Sequence, residues 1–324
     1  MKVFTTVTIS VLSAAMIALA IFLPVKNYDK KEEKQFEILT LWHIDAFEGG
    51  TGSRASYLKK VCAGFEREND CLITVVNETA GDALEKIGKG IYPDILSYSR
   101  GLDGVFGICK EIDFYPFSGG GEYNGKHYAA AWAYGGYVEI TRKGVTPQKT
   151  IISKGKYSHP EIACLCSGIN IDGAESDLPQ RAYETFLSDE SYKLIGTQRD
   201  IYRLKKKTEN FDIRPIGGFT DLVQYVSVTS KDDKKSKTAK RFINYLLTEG
   251  QKDINALGLI SVDKNRNIAD NGLIDRLFDV EYTYTLSVFT SEDVIGRAES
   301  ELNRNASGER ENTEFLKSIT KLLK

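Results

Sequence analysis

A predicted strand, a glycine-rich loop and a predicted helix follow one another between residues 36 and 65. Residues 36–44 are rich in β-branched and aromatic side chains and are bounded by turn signals, which is typical of a strand. The polar loop 45–52 follows, and Ser53 is available as the N-cap of a helix. Four apolar residues recur at the spacing of one buried helix face: Leu58, Val61, Cys62 and Phe65. This order predicts an α/β fold with a ligand site at the loop, beyond the carboxyl end of the strand.

The next segments extend the same alternation. Residues 71–77 and 92–98 are predicted as buried strands, and residues 80–88 between them as a short helix. Strand, helix, strand order favours parallel strands joined by right-handed crossovers. The carboxyl ends of the first and third strands then share one sheet edge, so residues 42–48 and 98–100 are expected to be neighbours.

A long strand-like run over 128–140 is interrupted by Gly135 and Gly136. Two glycines inside such a run indicate a close backbone approach or a bend, as expected where a strand leaves one lobe for another. Residues 124–126 are predicted to form a hairpin turn. The remaining predicted elements are a helix at 179–187, strands at 192–196, 211–216 and 222–228, a helix at 238–247, and charge-rich helices over 273–323.

The N-terminus predicts export. Residues 1–25 are almost entirely apolar after Lys2, long enough to span a bilayer and equally compatible with a cleaved signal peptide, so both alternatives stay open. Residues 26–35 are predicted to be a solvated linker. No cysteine lies within or just after the apolar run, so a lipid-modified N-terminus is not expected.

Charge and cysteine usage argue against a nucleic-acid-binding, a disulfide-rich or a zinc-binding protein. The chain has 43 basic and 45 acidic residues, so it carries no polycationic surface for nucleic acid. Five cysteines do not make a complete disulfide set, and Cys62 is predicted to be a free, buried thiol. Cys164 and Cys166 lack the two-residue spacer of zinc motifs, and His43 is predicted to be a hydrogen-bonded structural residue. No metal or cofactor is expected.

Six segments resemble the extracellular solute-binding proteins of bacterial ABC importers, the broad class that includes maltose-binding protein. They are residues 41–45, 47–54, 196–200, 217–225, 242–251 and 258–262. The resemblance covers most of 36–262 and implies a type II periplasmic-binding-protein-like fold. Such a fold has two α/β lobes, each a mainly parallel sheet flanked by helices, joined by hinge strands. Lobe 1 would comprise 36–133 and 228–264, and lobe 2 would comprise 134–227 and 265–324.

The resemblance has two departures. The lipid-modified cysteine that tethers many relatives is absent, which favours anchoring by the apolar run. Residues 188–192 are unusually polar where relatives have small apolar residues, which affects the detail of the second lobe.

The resemblance and the residues together predict a carbohydrate site in an interlobe cleft. Sugar hydroxyls suit planar polar partners, and sugar C–H faces stack on aromatic rings. The candidate ligand-binding residues are Trp42, Asp45, Glu48, Ser99, Arg100, Trp132, Tyr134, Gln198, Arg199, Asp200, Phe219 and Asp221. Core or hinge packing is the alternative interpretation of Trp132 and Tyr134, and a mutual ion pair is the alternative for Arg199 and Asp200.

The implied function is that of a monomeric, non-enzymatic receptor that delivers a small solute, a sugar, to the permease subunits of an ABC transporter. It would act at the extracellular face of the cytoplasmic membrane or as a secreted protein. Two alternatives remain. One is an exported glycoside hydrolase that uses Asp45 and Glu48 as its carboxylate pair. The other is a membrane-held solute sensor without transport. An amino acid, a polyamine or an inorganic anion also remains open as the solute.

Overall fold

The computed structural model describes residues 36–45, 50–102, 104–113, 119–205, 210–267, 273–281, 284–285, 287–291, 293–297 and 300. The predicted signal or anchor segment 1–25 and the linker 26–35 lie outside these residues. Residues Ile38–Lys324 form one compact unit. Within the described part of the chain, no helix is long and apolar enough to cross a membrane.

The described elements alternate between strands and helices along most of the chain. The strands are β1 Glu37–Ile44, β2 Cys71–Glu78, β3 Ile95–Tyr98, β4 Glu122–Tyr123, β5 Lys126–His127, β6 Ala130–Tyr134, β7 Tyr137–Arg142, β8 Lys149–Ser153, β9 Glu175–Asp177, β10 Tyr192–Thr197, β11 Phe211–Ile216, β12 Phe219–Thr220, β13 Val223–Val228 and β14 Tyr284–Thr285. The α-helices are α1 Arg54–Glu66, α2 Ala80–Gly88, α3 Pro160–Cys166, α4 Pro179–Ser188, α5 Gln198–Lys205 and α6 Asp233–Thr248. The protein therefore belongs to the α/β class.

The first five-stranded sheet has the order β2-β1-β3-β13-β6. β1 and β3 are parallel, with His43 opposite Ser97, which confirms that their carboxyl ends share one edge. β13 runs antiparallel to both β3 and β6. The first sheet is therefore mixed.

The second five-stranded sheet has the order β11-β7-β10-β8-β9. β8 is parallel to β9 and β10, whereas β7 is antiparallel to both β10 and β11. The prediction of mainly parallel sheets is therefore wrong. Connections such as β6 to β7 pass directly from one sheet to the other, so strands enter a sheet in both directions.

The chain passes between the two sheets twice. It leaves β6 for β7 through Gly135 and Gly136, and it returns from β11 to β13 through 217–222. A Cβ atom on Gly135 would lie 2.5 Å from Gln198 Nε2 and 2.9 Å from Leu222 Cβ. The predicted close approach is confirmed, and it divides the predicted 128–140 strand into β6 and β7.

Helix α1 matches its predicted pattern. Ser53 accepts a hydrogen bond at its side-chain oxygen from Ser56 N, at 3.1 Å, as an N-cap does. The predicted apolar face is buried: Leu58, Val61, Cys62 and Phe65. Helix α6 begins five residues before its predicted start because Asp232 caps it by accepting from the backbone of Lys234 and Lys235.

The larger hydrophobic core includes side chains from both sheets. Leu41 and Trp132 contribute from the first sheet, and Ile195 and Ile216 contribute from the second. A smaller core lies under α4, where its members include Phe186, Leu194 and Ile213. Apolar packing thus makes the two sheets parts of one compact unit.

Some elements differ from the sequence predictions. Residues 198–205 form α5, a helix that was not predicted from the sequence; at its start the Asp200 carboxylate accepts from Thr197 N at 3.0 Å. α3, which contains Cys164 and Cys166, has only seven residues, too few to show a helical period. Helices were predicted over 273–323; of the described residues in this range, Leu273–Leu277 form a 3-10 helix and 293–297 are helical, whereas Tyr284–Thr285 form the strand β14.

All five cysteines are free thiols. The predicted free, buried thiol at Cys62 is confirmed. Burial raises the pKa of Cys109 and Cys166 to about 11 and that of Cys164 to about 12. Thiols with raised pKa values are poor nucleophiles at neutral pH, which favours a packing role for these three residues.

Candidate functional site

A cleft of about 750 Å³ lies between the loop after β1 and the helices α4 and α5. One wall comes from the first sheet's strand-to-helix connection, and the other comes from helices that flank the second sheet. The lining residues are Asp45, Gly50, Thr51, Gly52, Arg54, Gln180, Tyr183, Arg199, Tyr202 and Arg203. The described residues also line cavities of about 520 and 270 Å³ near α6, but neither involves a predicted site residue. The larger cleft is therefore the candidate site.

The glycines of the first wall are required by packing against the chain near Leu257. Gly50 has a φ of +73°, and a Cβ atom there would lie 2.4 Å from Leu257 O. A Cβ atom on Gly52 would meet the Leu257 side chain at 2.6 Å. Thr51 N donates to Leu257 O at 2.7 Å. These contacts fix the described end of the loop at the start of α1.

Arg54 and Asp45 form an ion pair across this wall. The Arg54 side chain is only 6 % exposed, whereas that of Asp45 is 42 % exposed. A guanidinium is always charged at physiological pH, and its burial is tolerated when a carboxylate lies beside it. The pair therefore holds a cationic group at the bottom of the cleft and leaves a carboxylate at the rim.

The second wall presents Arg199 and Arg203, which are four residues apart on α5 and so lie on one helix face. Arg203 Nη1 donates to Asp200 Oδ1 at 2.9 Å, and the Asp200 side chain is 2 % exposed. The Arg203 guanidinium also lies over the Tyr183 ring, 5.3 Å from its centroid. Asp200 is buried and does not line the cleft, and its hydrogen bond to Arg203 helps to orient that guanidinium.

Three other predicted site residues are buried, and one of them, Asp221, is part of a polar cluster at the junction of the sheets. Asp221 accepts from Tyr137 OH at 2.5 Å and from His159 N at 2.9 Å, and its Oδ2 lies 2.7 Å from His159 Nδ1. Ser99 and Arg100 are also buried. Burial holds the pKa of the nearby Tyr225 hydroxyl well above its usual range, and the charge of Arg100 opposes this effect. In this conformation these side chains are part of the protein interior.

The predicted aromatic residues are also largely buried. Trp132 has no exposed surface; it stacks with Tyr57 at a centroid distance of 6.3 Å and donates from Nε1 to Ser97 Oγ at 3.2 Å. Phe219 is likewise fully buried in the larger core. Lys86 Nζ lies 5.3 Å from the centroid of the Trp42 ring, which is itself nearly buried. The structure therefore corrects the placement of Trp42, Trp132 and Phe219 as exposed stacking surfaces.

Tyr134 and Gln198 lie beside the first crossing between the sheets. Tyr134 is half-buried, and burial raises the pKa of its hydroxyl to about 12. Gln198 is fully buried, and its Oε1 accepts from Gly136 N at 2.9 Å. Both residues support the crossing, and neither lines the cleft. Glu48 lies outside the described residues.

His43 is a buried residue of β1, as predicted. Its Nδ1 lies 3.1 Å from Ser97 Oγ on the neighbouring strand. Burial lowers the pKa of the imidazole to about 4, with a smaller opposing effect of Asp45. Because the His43 ring is neutral and hydrogen-bonded, it can be buried within the sheet without leaving a charge unpaired.

Of the predicted site residues, the structure brings Asp45 and Arg199 together at the cleft. Arg54, Tyr202 and Arg203 line it as well but were not singled out from the sequence. For Arg203, the available signal was its four-residue spacing from Arg199. This spacing becomes informative only once 198–205 is recognised as a helix.

No group of three or more histidine, cysteine, aspartate or glutamate residues is placed to hold a metal ion within the described ranges. In comparisons with known proteins, no protein-family model and no curated protein matches this chain. The functional assignment therefore rests on the α/β architecture, the cleft and the chemistry of its side chains.

Proposed function

We propose that the protein is an extracytoplasmic receptor that binds a small solute, a carbohydrate, and delivers it to an ABC transporter permease. The observation that carries the proposal is the cleft itself. It is lined on one side by the loop at the carboxyl end of β1 and on the other by α4 and α5. Its volume of about 750 Å³ suits a small organic molecule, and its walls offer hydrogen-bonding groups from separate parts of the fold.

The two crossings between the sheets support a two-lobed type II arrangement. In this proposal, lobe 1 comprises 36–134 and 223–264, and lobe 2 comprises 137–216 and 265–324. Residues 223–227, predicted as part of lobe 2, are assigned to lobe 1 because β13 pairs with β3 and β6 of the first sheet. The crossings at Gly135–Gly136 and at 217–222 are the hinges. A solute that bonds to Asp45 on one wall and Arg199 on the other would stabilise the closed conformation, because only that conformation offers both partners.

The closed receptor would then be recognised by the permease. The apolar segment 1–25 accounts for export, either as a cleaved signal or as an anchor at the outer face of the cytoplasmic membrane. The receptor acts as a monomer in this scheme, with no catalytic step and no cofactor.

A thermal-shift screen tests the proposal. The full chain is kept in mild non-ionic detergent because of its apolar N-terminal segment, and it is heated with sugars, sugar derivatives, amino acids, polyamines and anions. A ligand at a hundredfold excess over its Kd adds about 2.7 kcal/mol to the free energy of unfolding, which raises Tm visibly. We expect a dose-dependent rise with a carbohydrate and no product formation.

The variant Arg199→Gln should reduce that rise, whereas Arg181→Gln should preserve it. Arg181 is an exposed arginine of α4 that does not line the cleft, so it controls for the loss of charge. Conversion of the sugar during the assay would replace the receptor proposal with a glycoside hydrolase. The absence of any stabilising compound in the panel would contradict the proposal.

A further inference from the structure

The charges that line the cleft are unequal. Among the described residues, three arginines, Arg54, Arg199 and Arg203, line it together with one acidic residue, Asp45. The carboxylate of Asp200 lies behind Arg203. With Asp200 counted, three positive groups still stand against two negative ones in the described part of the cleft. A recessed site with low-dielectric walls strengthens the field of such an excess charge.

The guanidinium groups come from both walls of the cleft. Arg54 begins α1, and Arg199 and Arg203 share one face of α5. Asp45 binds Arg54 from the rim, and Asp200 binds Arg203 from behind, so each carboxylate also orients a guanidinium. A guanidinium carries five N–H donors in a planar fork that matches carboxylate and phosphate oxygens. Three arginines that line one cleft from two walls suit the binding of an anionic group.

The aromatic side chains of the cleft offer little open surface for a neutral sugar. Tyr183 is 5 % exposed, and the Arg203 guanidinium lies over its ring. The Tyr202 ring packs against Gly258, where an added Cβ atom would lie 2.5 Å from it. The two tryptophans, Trp42 and Trp132, belong to the core. The cleft therefore offers charged and hydrogen-bonding groups for recognising a solute, more than aromatic surfaces on which a sugar could stack.

We infer that the solute of this receptor is anionic, and that its carboxylate or phosphate group is bound between Arg54 of α1 and the Arg199 and Arg203 pair of α5. This inference rests on the proposed receptor function and narrows its ligand to an acidic carbohydrate. The cleft volume of about 750 Å³ exceeds what an inorganic anion fills, so the anionic group belongs to a larger organic molecule. The anion would link the two walls and thereby favour closure.

Charge-matched pairs of compounds test the inference by titration calorimetry on the full chain in non-ionic detergent. Galacturonate is compared with galactose, and glucose 6-phosphate with glucose; citrate and inorganic phosphate are further arms. We expect at least one acidic sugar to bind while its neutral partner does not. The carboxylate and phosphate arms identify which anionic group is preferred. Binding should weaken as salt is raised, because the attraction is screened.

Variants assign the binding to the cleft. Arg199→Gln should weaken the affinity for the acidic sugar roughly 10-fold to 100-fold, the loss expected for a charge-assisted hydrogen bond. Arg199→Lys keeps the charge and should recover part of the affinity, and Arg181→Gln should bind like the wild type. The Tm of each unliganded variant checks that it is folded.

Three results would overturn the inference. Equal or tighter binding of the neutral sugars would remove the anionic requirement and leave the receptor proposal standing. Acidic sugars that bind equally well to the Arg199→Gln variant would place the anion elsewhere. Binding of no acidic compound and no neutral compound would contradict both the inference and the receptor proposal.

Discussion

At the scale of single residues, buried polar groups are satisfied by specific partners, and these partners explain several roles that composition leaves open. Asp221 receives two donors and lies against the His159 ring at the sheet junction. His43 stays neutral inside β1 beside Ser97. Burying such groups costs free energy unless their hydrogen bonds are made. Each is therefore a position where one substitution has a defined energetic consequence.

Replacing Asp221 with alanine should destabilise the protein by about 3 kcal/mol, because the Tyr137 hydroxyl and the His159 backbone N–H lose a buried acceptor. Asp221→Asn keeps an acceptor oxygen at the site and should cost less. Urea unfolding monitored by circular dichroism measures both losses. An alanine variant as stable as the wild type would show that this network contributes nothing to folding.

The buried His43 should make stability depend on pH below neutrality. The native imidazole has a pKa of about 4, whereas its ordinary value is 6.5. Between these values protons bind preferentially to the unfolded chain, so the contribution is complete above pH 6.5 and is lost as the pH falls toward 4. The expected loss is about 3 kcal/mol, and it should be absent in His43→Asn. Urea titrations of both proteins at pH 7.5 and 4.5 measure it, and parallel losses in the two would contradict this assignment.

At the scale of elements, close backbone approaches decide where a strand ends and a crossing begins. β6 stops at Tyr134, whose backbone exchanges hydrogen bonds with Ile260 at 3.0 and 2.9 Å. Gly135 N then donates to Leu222 O at 2.6 Å, so the two crossings run side by side. Gln198 packs against the same point and accepts from Gly136 N. The crossing is thus assembled from three separate parts of the chain.

Gly135→Ala should destabilise the protein by about 1–3 kcal/mol, because the new methyl group would overlap Gln198 and Leu222. Gly88→Ala is the matched control. Gly88 ends α2, no atom lies within 4 Å of its virtual Cβ, and alanine there should be neutral or stabilising by up to about 1 kcal/mol. Thermal unfolding of the two variants gives the comparison. A Gly135→Ala variant as stable as Gly88→Ala would show that the crossing relaxes freely.

At the scale of the whole molecule, shared packing joins the two sheets within Ile38–Lys324. The larger core combines first-sheet residues such as Leu41 and Trp132 with second-sheet residues such as Ile195. A domain with a common core is expected to unfold in one cooperative transition. Among the described residues, two direct strand-to-strand crossings, at 135–136 and 217–222, also join the sheets.

Phe186 lies in the smaller core under α4, and Phe186→Ala should lower the free energy of unfolding by about 3–5 kcal/mol. The unfolding midpoint measured by tryptophan fluorescence should fall by the same amount as the midpoint measured by far-UV circular dichroism. Both tryptophans lie in the first sheet, so their fluorescence reports whether damage to the second sheet is transmitted. Leu178→Ala, at an exposed position before α4, should change neither midpoint. A fluorescence midpoint that stays fixed in Phe186→Ala would show that the sheets unfold independently.

The sequence by itself determined the local elements and the α/β class. Clustered β-branched and aromatic residues predicted β1, because such side chains are typical of buried strands. The spacing of Leu58, Val61, Cys62 and Phe65 predicted α1, because it reflects which side of the helix is buried. Gly135 and Gly136 located a close approach, since only glycine fits there. These signals are carried by neighbouring residues, so they can be read without knowledge of the fold.

The tertiary structure decided strand direction, burial and the membership of the site. Trp132 and Phe219 are core residues because both sheets cover them, and no local pattern distinguishes such a ring from one that faces a cleft. Arg54 and Arg203 line the same cleft although 149 positions separate them in the chain. Convergence of this kind depends on how the sheets pack, and hence on interactions that act between distant segments.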